Sequence, residues 1–521
     1  MPRQTKARTP SFMIEIPLKV SDKDAGVLAS RFEAGRQLYN ACLGEAMRRQ
    51  KLVKQSKKYQ EARTLKKGKA RTSAFKEANQ AYGYSEYDLH SYCTTIRNSW
   101  IGEHIDSNTA QKLATRAFNA SCRVAFGQAK KVRFKGKNQL DSLEGKTNKT
   151  GIRWVNETLI WGDLQFKPHL TTYDPVMIHG LNSRVKYVRL LRRRIGSKSK
   201  TFYYAQLVCE GKPYLKPKNS ISQGTVGVDI GPSTIAIVGD ESAKLTLFAS
   251  ELKFNQKRIR QLQSQMERSK RANNLSNYNP NFIDKRGRKN KGTIKKGRHR
   301  WNNSQSYQRL RNTKANLERK LAAHRKSLHG KLVKEILGLG NNIKLEKLSY
   351  KSFQKNYGKS VGKRAPGEFV SHLKRKAESA GALVTEFSTK TTKLSQTCHQ
   401  CGSVKKKNLS DRIHQCDCGI LCQRDLYSAF LAKFVDEKEL LQANQAQNAW
   451  LGSEPILYAA WRQATQTNLR SEGRVSSSFG KFPESERVAT KVLNVDAKNL
   501  DVVPIRESQV EASSHFEPPS L

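Results

Sequence analysis

Five of the nine cysteines in this 521-residue chain stand between positions 398 and 422. They begin as Cys398-His399-Gln400-Cys401-Gly402 and resume as Cys416-Asp417-Cys418-Gly419. Two cysteines three apart can clasp one metal ion from a tight knuckle, with glycine allowing the turn, and a second pair completes four thiolates. Zn²⁺ accepts a tetrahedral thiolate set. Four protein ligands leave no open position, so the expectation is one structural zinc held by Cys398, Cys401, Cys416 and Cys418. It would staple a segment too polar to fold alone. The second pair is spaced Cys-x-Cys rather than Cys-x-x-Cys, which leaves Cys422 and His414 as substitute ligands. The bland alternative is a group of surface cysteines without metal. Cys42, Cys93, Cys122 and Cys209 are scattered and read as small buried hydrophobes. A disulfide framework would not concentrate cysteines so, and a reducing compartment is expected.

The charge narrows the function class. The chain has 96 Lys and Arg against 44 Asp and Glu, a formal net charge of +52. Such a chain repels itself unless a polyanion neutralises it, which points to nucleic acid and away from small-molecule metabolism. The excess is not uniform: residues 1–435 carry 87 basic and 32 acidic side chains, and residues 436–521 carry 9 and 12. The hydrophobic share of 37% and the aromatic share of 8% still allow a sizeable core. No run approaches the roughly 18 apolar residues of a membrane-spanning helix, and no apolar stretch follows the basic N-terminus. A cytoplasmic, nucleoid-associated protein of a prokaryote is therefore expected.

The length predicts about two to four domains. Residues 1–20 contain a strand that alternates at 12–20, and residues 21–150 read as helices. Ser21 precedes the first helix, whose apolar face carries Leu28, Phe32, Leu38 and Cys42. Residues 51–76 form a basic run on helix. Residues 151–220 return to short strands, which with the first would close a small β-barrel around the inserted helices. Residues 192–200 are a basic turn centred on Gly196. Apolar runs at 225–230, 234–238 and 245–248 read as a strand meander, followed by strands near 341–345 and 382–387 with a helix over 369–380. Within the basic stretch 251–338, residues 281–300 hold nine Lys or Arg and one acid, Asp284, and read as a loop that orders on a polyanion. Residues 436–521, rich in Gln, Asn, Ser and Glu, read as a flexible tail with a helix near 440–461.

Three carboxylates stand out in separate segments. Asp229 ends the strand Val226-Gly227-Val228-Asp229-Ile230-Gly231, Glu346 ends Ile343-Lys344-Leu345-Glu346, and Asp425 follows the cysteines in Gln423-Arg424-Asp425-Leu426-Tyr427-Ser428-Ala429. Strands this apolar rarely carry an acid without a partner, because burying a lone carboxylate is costly. If the three converge, repulsion raises their pKa values and Mg²⁺ relieves it. Two Mg²⁺ ions about 4 Å apart would activate water and stabilise the leaving oxygen of a phosphodiester. The bland alternative is that Asp229 caps a turn and Glu346 pairs with a nearby lysine.

In its order of motifs the chain resembles TnpB, a family of transposon-encoded RNA-guided endonucleases related to the small type V CRISPR effectors. The motifs are Gly-Val-Asp-Ile-Gly (227–231), Lys-Leu-Glu-Lys-Leu (344–348), Thr-Lys-Leu-Ser-Gln-Thr-Cys-His-Gln-Cys-Gly (392–402), Cys-Gly (418–419) and Arg-Asp-Leu-Tyr-Ser-Ala (424–429). The N-terminal part is similar more loosely, through Gly35-Arg36-Gln37-Leu38-Tyr39-Asn40. The resemblance implies an α/β RNase H-like RuvC nuclease domain, motifs one and two over 221–395, a zinc ribbon over 396–420 and motif three over 421–435. It implies a second, N-terminal β-barrel (wedge) with an inserted helical recognition bundle. It places Asp229, Glu346 and Asp425 as the catalytic, magnesium-binding carboxylates and Cys398, Cys401, Cys416 and Cys418 as the zinc ligands.

The partners so implied are a guide RNA and double-stranded target DNA with a short flanking motif, and the cofactors are two Mg²⁺ and one Zn²⁺. Two motifs depart from the family pattern. The second has Lys347 after its glutamate where asparagine is common, and the third has Tyr427 where asparagine is common, which predicts a changed orientation of Asp425. The alternatives are a small type V CRISPR effector nuclease, a cleavage-deficient RNA-guided regulator and a plain zinc-ribbon nucleic-acid-binding module.

Overall fold

A computed structural model describes residues 9–169, 174–196, 200–252, 255–408, 410–472 and 475–482. The chain divides into two compact units, the first from 1–218 and 255–322, the second from 219–254 and 323–521. Both are mixtures of helix and strand.

In the first unit, β1 (Ser11–Pro17) pairs antiparallel with β7 (Lys200–Glu210), β7 with β6 (Val185–Ile195), and β6 with β2 (Ser142–Glu144). β3 (Arg153–Val155), β4 (Thr158–Trp161) and β5 (Leu164–Phe166) form a separate meander. The strands expected to close one barrel therefore make two sheets among the described residues, linked by an isolated bridge between Leu18 and Pro168. The chain turns sharply at Asn156 and Glu157, both at positive φ, and short three- and four-residue strands cannot continue the ladder.

Between β1 and β2 run α1 (Asp22–Gln55), α2 (Lys57–Thr64), α3 (Lys69–Ala81), α4 (Glu86–Arg97) and α5 (Ser107–Ala125). Ser21 caps α1 by accepting the Asp24 backbone N–H at 3.2 Å. Leu28, Phe32, Leu38 and Cys42 are fully buried against Ile16, Leu190 and Leu207, as their spacing predicts. The Arg36 and Asn40 side chains both donate to the carbonyl of Lys135, and Asn40 accepts the Lys135 N–H, so this signature staples the 135 segment to α1. The basic run 51–76 lies on the end of α1 and on α2 and α3, with Lys51, Lys57, Lys58, Lys66, Lys67 and Lys69 exposed. The unit also contains α6 (Pro175–Leu181), α7 (Gln256–Ala272) and a hairpin of β11 (Phe282–Ile283) with β12 (Lys289–Asn290).

The second unit is built on a five-stranded sheet in the order β10-β9-β8-β13-β14. β8 (Thr225–Ile230), β9 (Thr234–Val238) and β10 (Ala243–Leu247) form the antiparallel meander the apolar runs predict. β13 (Asn342–Glu346) and β14 (Leu383–Phe387) run parallel to β8. Such parallel strands need crossovers, supplied here by α8 (Gln305–Leu339) and by α9 (Tyr350–Arg364) with α10 (Pro366–Ala380). One face of the sheet presents Val226, Val228, Ile343 and Leu345 to Ile336, Leu337, Phe369 and Leu373. Ala236, Val238 and Leu245 contribute to a second core with α12 (Arg424–Ala432), α13 (Ala443–Glu472) and the cysteine segment. After β14 come the short helix α11 (Thr389–Thr392) and a hairpin of β15 (Ile413–Gln415) with β16 (Leu421–Gln423).

Part of the stretch expected to be a flexible tail is thus core. Trp461 is fully buried and Tyr458 donates to the carbonyl of Leu421 at 2.6 Å. The helix expected near 440–461 is present, but weak periodicity hid its burial, because a few large anchors, Trp450, Leu457 and Trp461, supply it. Residues 483–521 lie outside the described residues. Among the described residues no helix is long and apolar enough to cross a membrane.

Candidate active site and cysteine knuckles

β8 and β13 are parallel and in register, with Val228 opposite Leu345. One residue further, Asp229 and Glu346 stand side by side at the C-terminal ends of these strands. Side chains alternate along a strand, so both acids share the face opposite Val226, Val228 and Leu345. α12 lies on that face. A Cβ at Gly227 would overlap the backbone carbonyl oxygen of Ala429, so only glycine lets the helix approach the strand so closely. Asp425 stands one helical turn before Ala429, and Asp229 stands two residues after Gly227. This single contact therefore sets both acids on the same patch.

Polar ties fix the helix over the sheet. Lys344 on β13 donates to the carbonyls of Lys433 (2.9 Å) and Val435 (2.7 Å) at the C-terminal end of α12. Lys433 in turn donates to the carbonyl of Gly239 (2.7 Å) and pairs with Asp240 (2.8 Å). At the other end, Gln423 accepts the Leu426 backbone N–H at 2.8 Å and caps the helix. Asp425 occupies the first turn, where the helix dipole favours an anion. Thr234 donates to its carboxylate at 2.8 Å, and Arg424 Nε lies 3.7 Å from it.

The electrostatics of Asp229 register the other two acids. Burial, then the charges of Asp425 and Glu346, push the Asp229 carboxyl well above the usual carboxylate range. Burial alone pushes Glu346 up to about 7. The Tyr350 phenol is also raised, by burial and by Glu386 and Asp229, and stays a neutral hydroxyl beside the acids. Sequence reasoning brought out the three acids and missed Thr234, Gly227 and Tyr350. Thr234 had a signal, being the one polar residue in the apolar run that became β9. A glycine inside an apolar strand was the signal for Gly227.

The cysteines gather more tightly. Among the described residues, Cys398, Cys401, Cys416 and Cys418 have all their sulfurs within 4.8 Å of one another. Cys398 and Cys418 sulfurs are 3.5 Å apart and those of Cys401 and Cys416 3.4 Å. A tetrahedral zinc with Zn–S bonds of about 2.3 Å has edges of roughly 3.8 Å, so the cluster is compatible with Zn²⁺. Each pair sits in a backbone turn. Gly402 N–H donates to the Cys398 carbonyl and Gly419 N–H to the Cys416 carbonyl, both at 3.0 Å, with both glycines at positive φ. The turn at Gly419 is tight enough for a Cys-x-Cys pair to aim both sulfurs inward. The backbone N–H of Cys418 and the Ser403 hydroxyl hold the Cys416 thiol down at about 6, in the range of a thiolate ligand.

Neither substitute ligand joins them. Cys422 is buried in the second core, and burial pushes its thiol up. His414 stacks on Tyr427 with ring centroids 4.0 Å apart and accepts a hydrogen bond from Lys407. Tyr427 does not orient Asp425. Its hydroxyl accepts the His399 backbone N–H at 3.1 Å and hydrogen-bonds with His399 Nδ1 at 2.7 Å, so it ties α12 to the first knuckle. Burial lowers His399 to about 4, so its ring is neutral near pH 7.

Residues 367–431 match the family model described as the TNB domain of Cas12f1-like proteins. This stretch holds both knuckles and Asp425, and its match agrees with the resemblance carried by the motifs. No curated protein matches the chain. Among solved structures, it is similar to the protein of a Cas12f1–sgRNA–target DNA complex, with 11% identity and a TM-score of 0.40 over 81% of this chain and 98% of the other. It is also similar to the protein of a CRISPR-Cas12f ternary complex, with 12% identity and a TM-score of 0.27 over 81% and 87%. At these TM-scores the superpositions are too loose to carry a functional argument.

Proposed function

We propose that this chain is an RNA-guided DNA endonuclease of the TnpB type, with one RuvC-like site formed by Asp229, Glu346 and Asp425. The observation that carries the reading is the placement of these acids. Two end adjacent parallel strands in register, and the third projects from a helix laid on the same face at Gly227. The sheet order, with three antiparallel strands followed by two parallel ones, supports an RNase H-like reading in which the cysteine hairpin before α12 would be a zinc ribbon. The raised Asp229 carboxyl marks a site where anionic oxygens crowd together and where a hard cation fits. The three carboxylates would hold Mg²⁺, which when bound supplies Lewis acidity and lowers the pKa of an attacking water. Thr234 and the helix N-terminus hold Asp425 in place, and Lys344 and Lys433 keep α12 on the sheet. The strongly basic first 435 residues suit a guide RNA and its DNA heteroduplex, which such proteins grip through the backbone while base pairing chooses the sequence.

The same site would serve a small type V CRISPR effector, a reading favoured by the match of residues 367–431 to Cas12f1-like proteins. A CRISPR array beside the gene supports the effector and transposon ends support TnpB. A regulator that binds without cutting is disfavoured by the presence of all three acids.

The test begins with the protein expressed from its native gene neighbourhood, sequencing the RNA that co-purifies. One abundant RNA with a short variable end is expected, and with it Mg²⁺-dependent cutting of matched DNA. Asp229→Ala should abolish cutting and keep the RNA. Cutting at the parent rate by this variant would remove the nuclease assignment.

A further inference from the structure

A helix that packs against its own protein carries apolar side chains at intervals of three and four, which share one face. One stripe of α8 has that spacing with polar residues instead: Gln308, Arg311, Asn312, Ala315, Asn316 and Arg319. Across from it stand Arg194 and Gly196, at the end of β6 in the basic turn. Beside them is Lys137, in the turn that the Gln139 N–H closes on the Gly136 carbonyl at 3.0 Å. All of these residues belong to the first unit. A gap of about 260 Å³ lies between the two walls. A bound water needs only about 10–15 Å³, and few packing voids exceed the size of a water. The gap is therefore a cleft that the fold leaves open and not a packing defect.

The charge in the cleft has one sign. Lys137, Arg194, Arg311 and Arg319 line it, no acid does, and none of the four has a carboxylate partner among the described residues. Their neighbours are paired. Arg192 faces Asp141, Arg193 faces Glu15, and Glu318, next to Arg319 in sequence, binds Lys314 at 2.6 Å. Two of the four cations are held in place: Arg194 donates to the carbonyl of Asn138, and Arg319 donates to the Asn316 side-chain oxygen at 3.0 Å. Gln308 and Asn312 add neutral amides with no hydrogen-bond partner among the described residues. Apart from Ala315 and Gly196 every lining residue is polar, so the walls suit a polar anion and give an acyl chain nothing to pack on.

We propose that this cleft is a binding site for the guide RNA. Arg194, Arg311, Arg319 and Lys137 take consecutive backbone phosphates, and Gln308 and Asn312 take the ribose hydroxyls between them. Cations alone would suit any polyanion. The amides select RNA: a carboxamide donates and accepts, as a 2′-hydroxyl does, and DNA offers no such partner. The inference rests on the RNA-guided reading above but needs neither cleavage nor magnesium.

The experiment uses the full chain in complex with the RNA that co-purifies from its native gene neighbourhood, without target DNA. Hydroxyl-radical footprinting reads which riboses the protein covers. Arg311→Gln with Arg319→Gln should uncover one short window of the RNA and leave the rest of the footprint in place. Affinity should fall roughly ten-fold, with a flatter salt dependence. Both arginines are exposed, so the variant should melt with the parent. Lys320→Gln, off the stripe on the same helix, should leave the window covered. RNA carrying 2′-deoxyriboses in that window should bind the parent about three- to ten-fold more weakly than all-ribose RNA. The double variant Gln308→Ala with Asn312→Ala should bind the two RNAs equally. A footprint that the arginine pair leaves unchanged, or thins evenly along the RNA, overturns the proposal. So does a parent that ignores the deoxyriboses, or an equal deoxyribose penalty in parent and amide variant. A parent chain that carries no discrete RNA removes the RNA-guided reading itself, and the proposal with it.

Discussion

Thr234 donates a 2.8 Å hydrogen bond to the carboxylate of Asp425, a residue 191 positions later in the chain. Thr234 is buried at the start of β9 and Asp425 is buried in the first turn of α12. Asp425 is therefore oriented by a neighbouring strand, and the tyrosine at 427 is free to serve another purpose.

A hydrogen bond to a charged group contributes about 1.5–3 kcal/mol. Thr234→Val should therefore slow cleavage by roughly ten- to a hundred-fold, with a raised Mg²⁺ requirement and intact RNA binding. Thr234→Ser should restore most of the rate. Single-turnover cleavage against Mg²⁺ concentration decides it, and a parent-like curve for the valine variant would refute the positioning role.

Gly227 faces the carbonyl of Ala429, and backbone cannot swing aside as a long side chain can. Gly227→Ala should cost about 3 kcal/mol or more, the upper end for overpacking a core. A lowered thermal midpoint and a loss of cutting should appear together, although all three acids remain. Parent-like stability would mean that α12 is not seated on β8 as described.

Glu346 titrates at about 7, above its ordinary range, because it is buried. The folded state thus holds this proton more tightly than the unfolded state does. Its contribution to stability is complete below about pH 4.5 and is lost as pH rises through about 7. In chelator, the parent should lose stability between pH 5 and 8 relative to Glu346→Gln, by at most on the order of 3 kcal/mol. Asp229, shifted the same way, adds to the trend. Mg²⁺ should reverse it, since the ion needs the ionised carboxylates. Parallel melting curves of parent and variant across this range would exclude the effect.

One zinc per chain is expected by metal analysis. Cys416→Ser and Cys418→Ser should release it and Cys422→Ser should retain it, because only the first two sulfurs lie in the cluster. Tyr427→Phe should keep the zinc and lower the melting temperature. It leaves the buried His399 N–H without its acceptor, a loss of about 1–3 kcal/mol. Zinc retained by Cys418→Ser would instead bring His414 or Cys422 back as a ligand.

The helix α1 was legible because its signals are local: a serine cap and apolar residues spaced to one face. The strands β8, β9 and β13 were legible as apolar runs bounded by turns. The cysteine pairs were legible because a knuckle is a short-range motif. The helix α13 was legible near 440–461, but its packing into the core was obscured because two tryptophans bury it without regular periodicity. The folded hairpin at 281–300 was obscured because asparagine side chains, which sequence patterns read as loop, supply its hydrogen bonds.

The chain's order of residues thus determined by itself the charge that demands a polyanion, the four sulfurs and the three acids, since composition and spacing carry them directly. Only the tertiary structure decided that Cys422 and His414 stay out of the cluster, that Tyr427 ties α12 to His399, and that Thr234 holds Asp425. Those outcomes depend on which distant segments the burial of apolar surface brings into contact. A hydrogen bond acts over about 3 Å in space, whatever the separation along the chain.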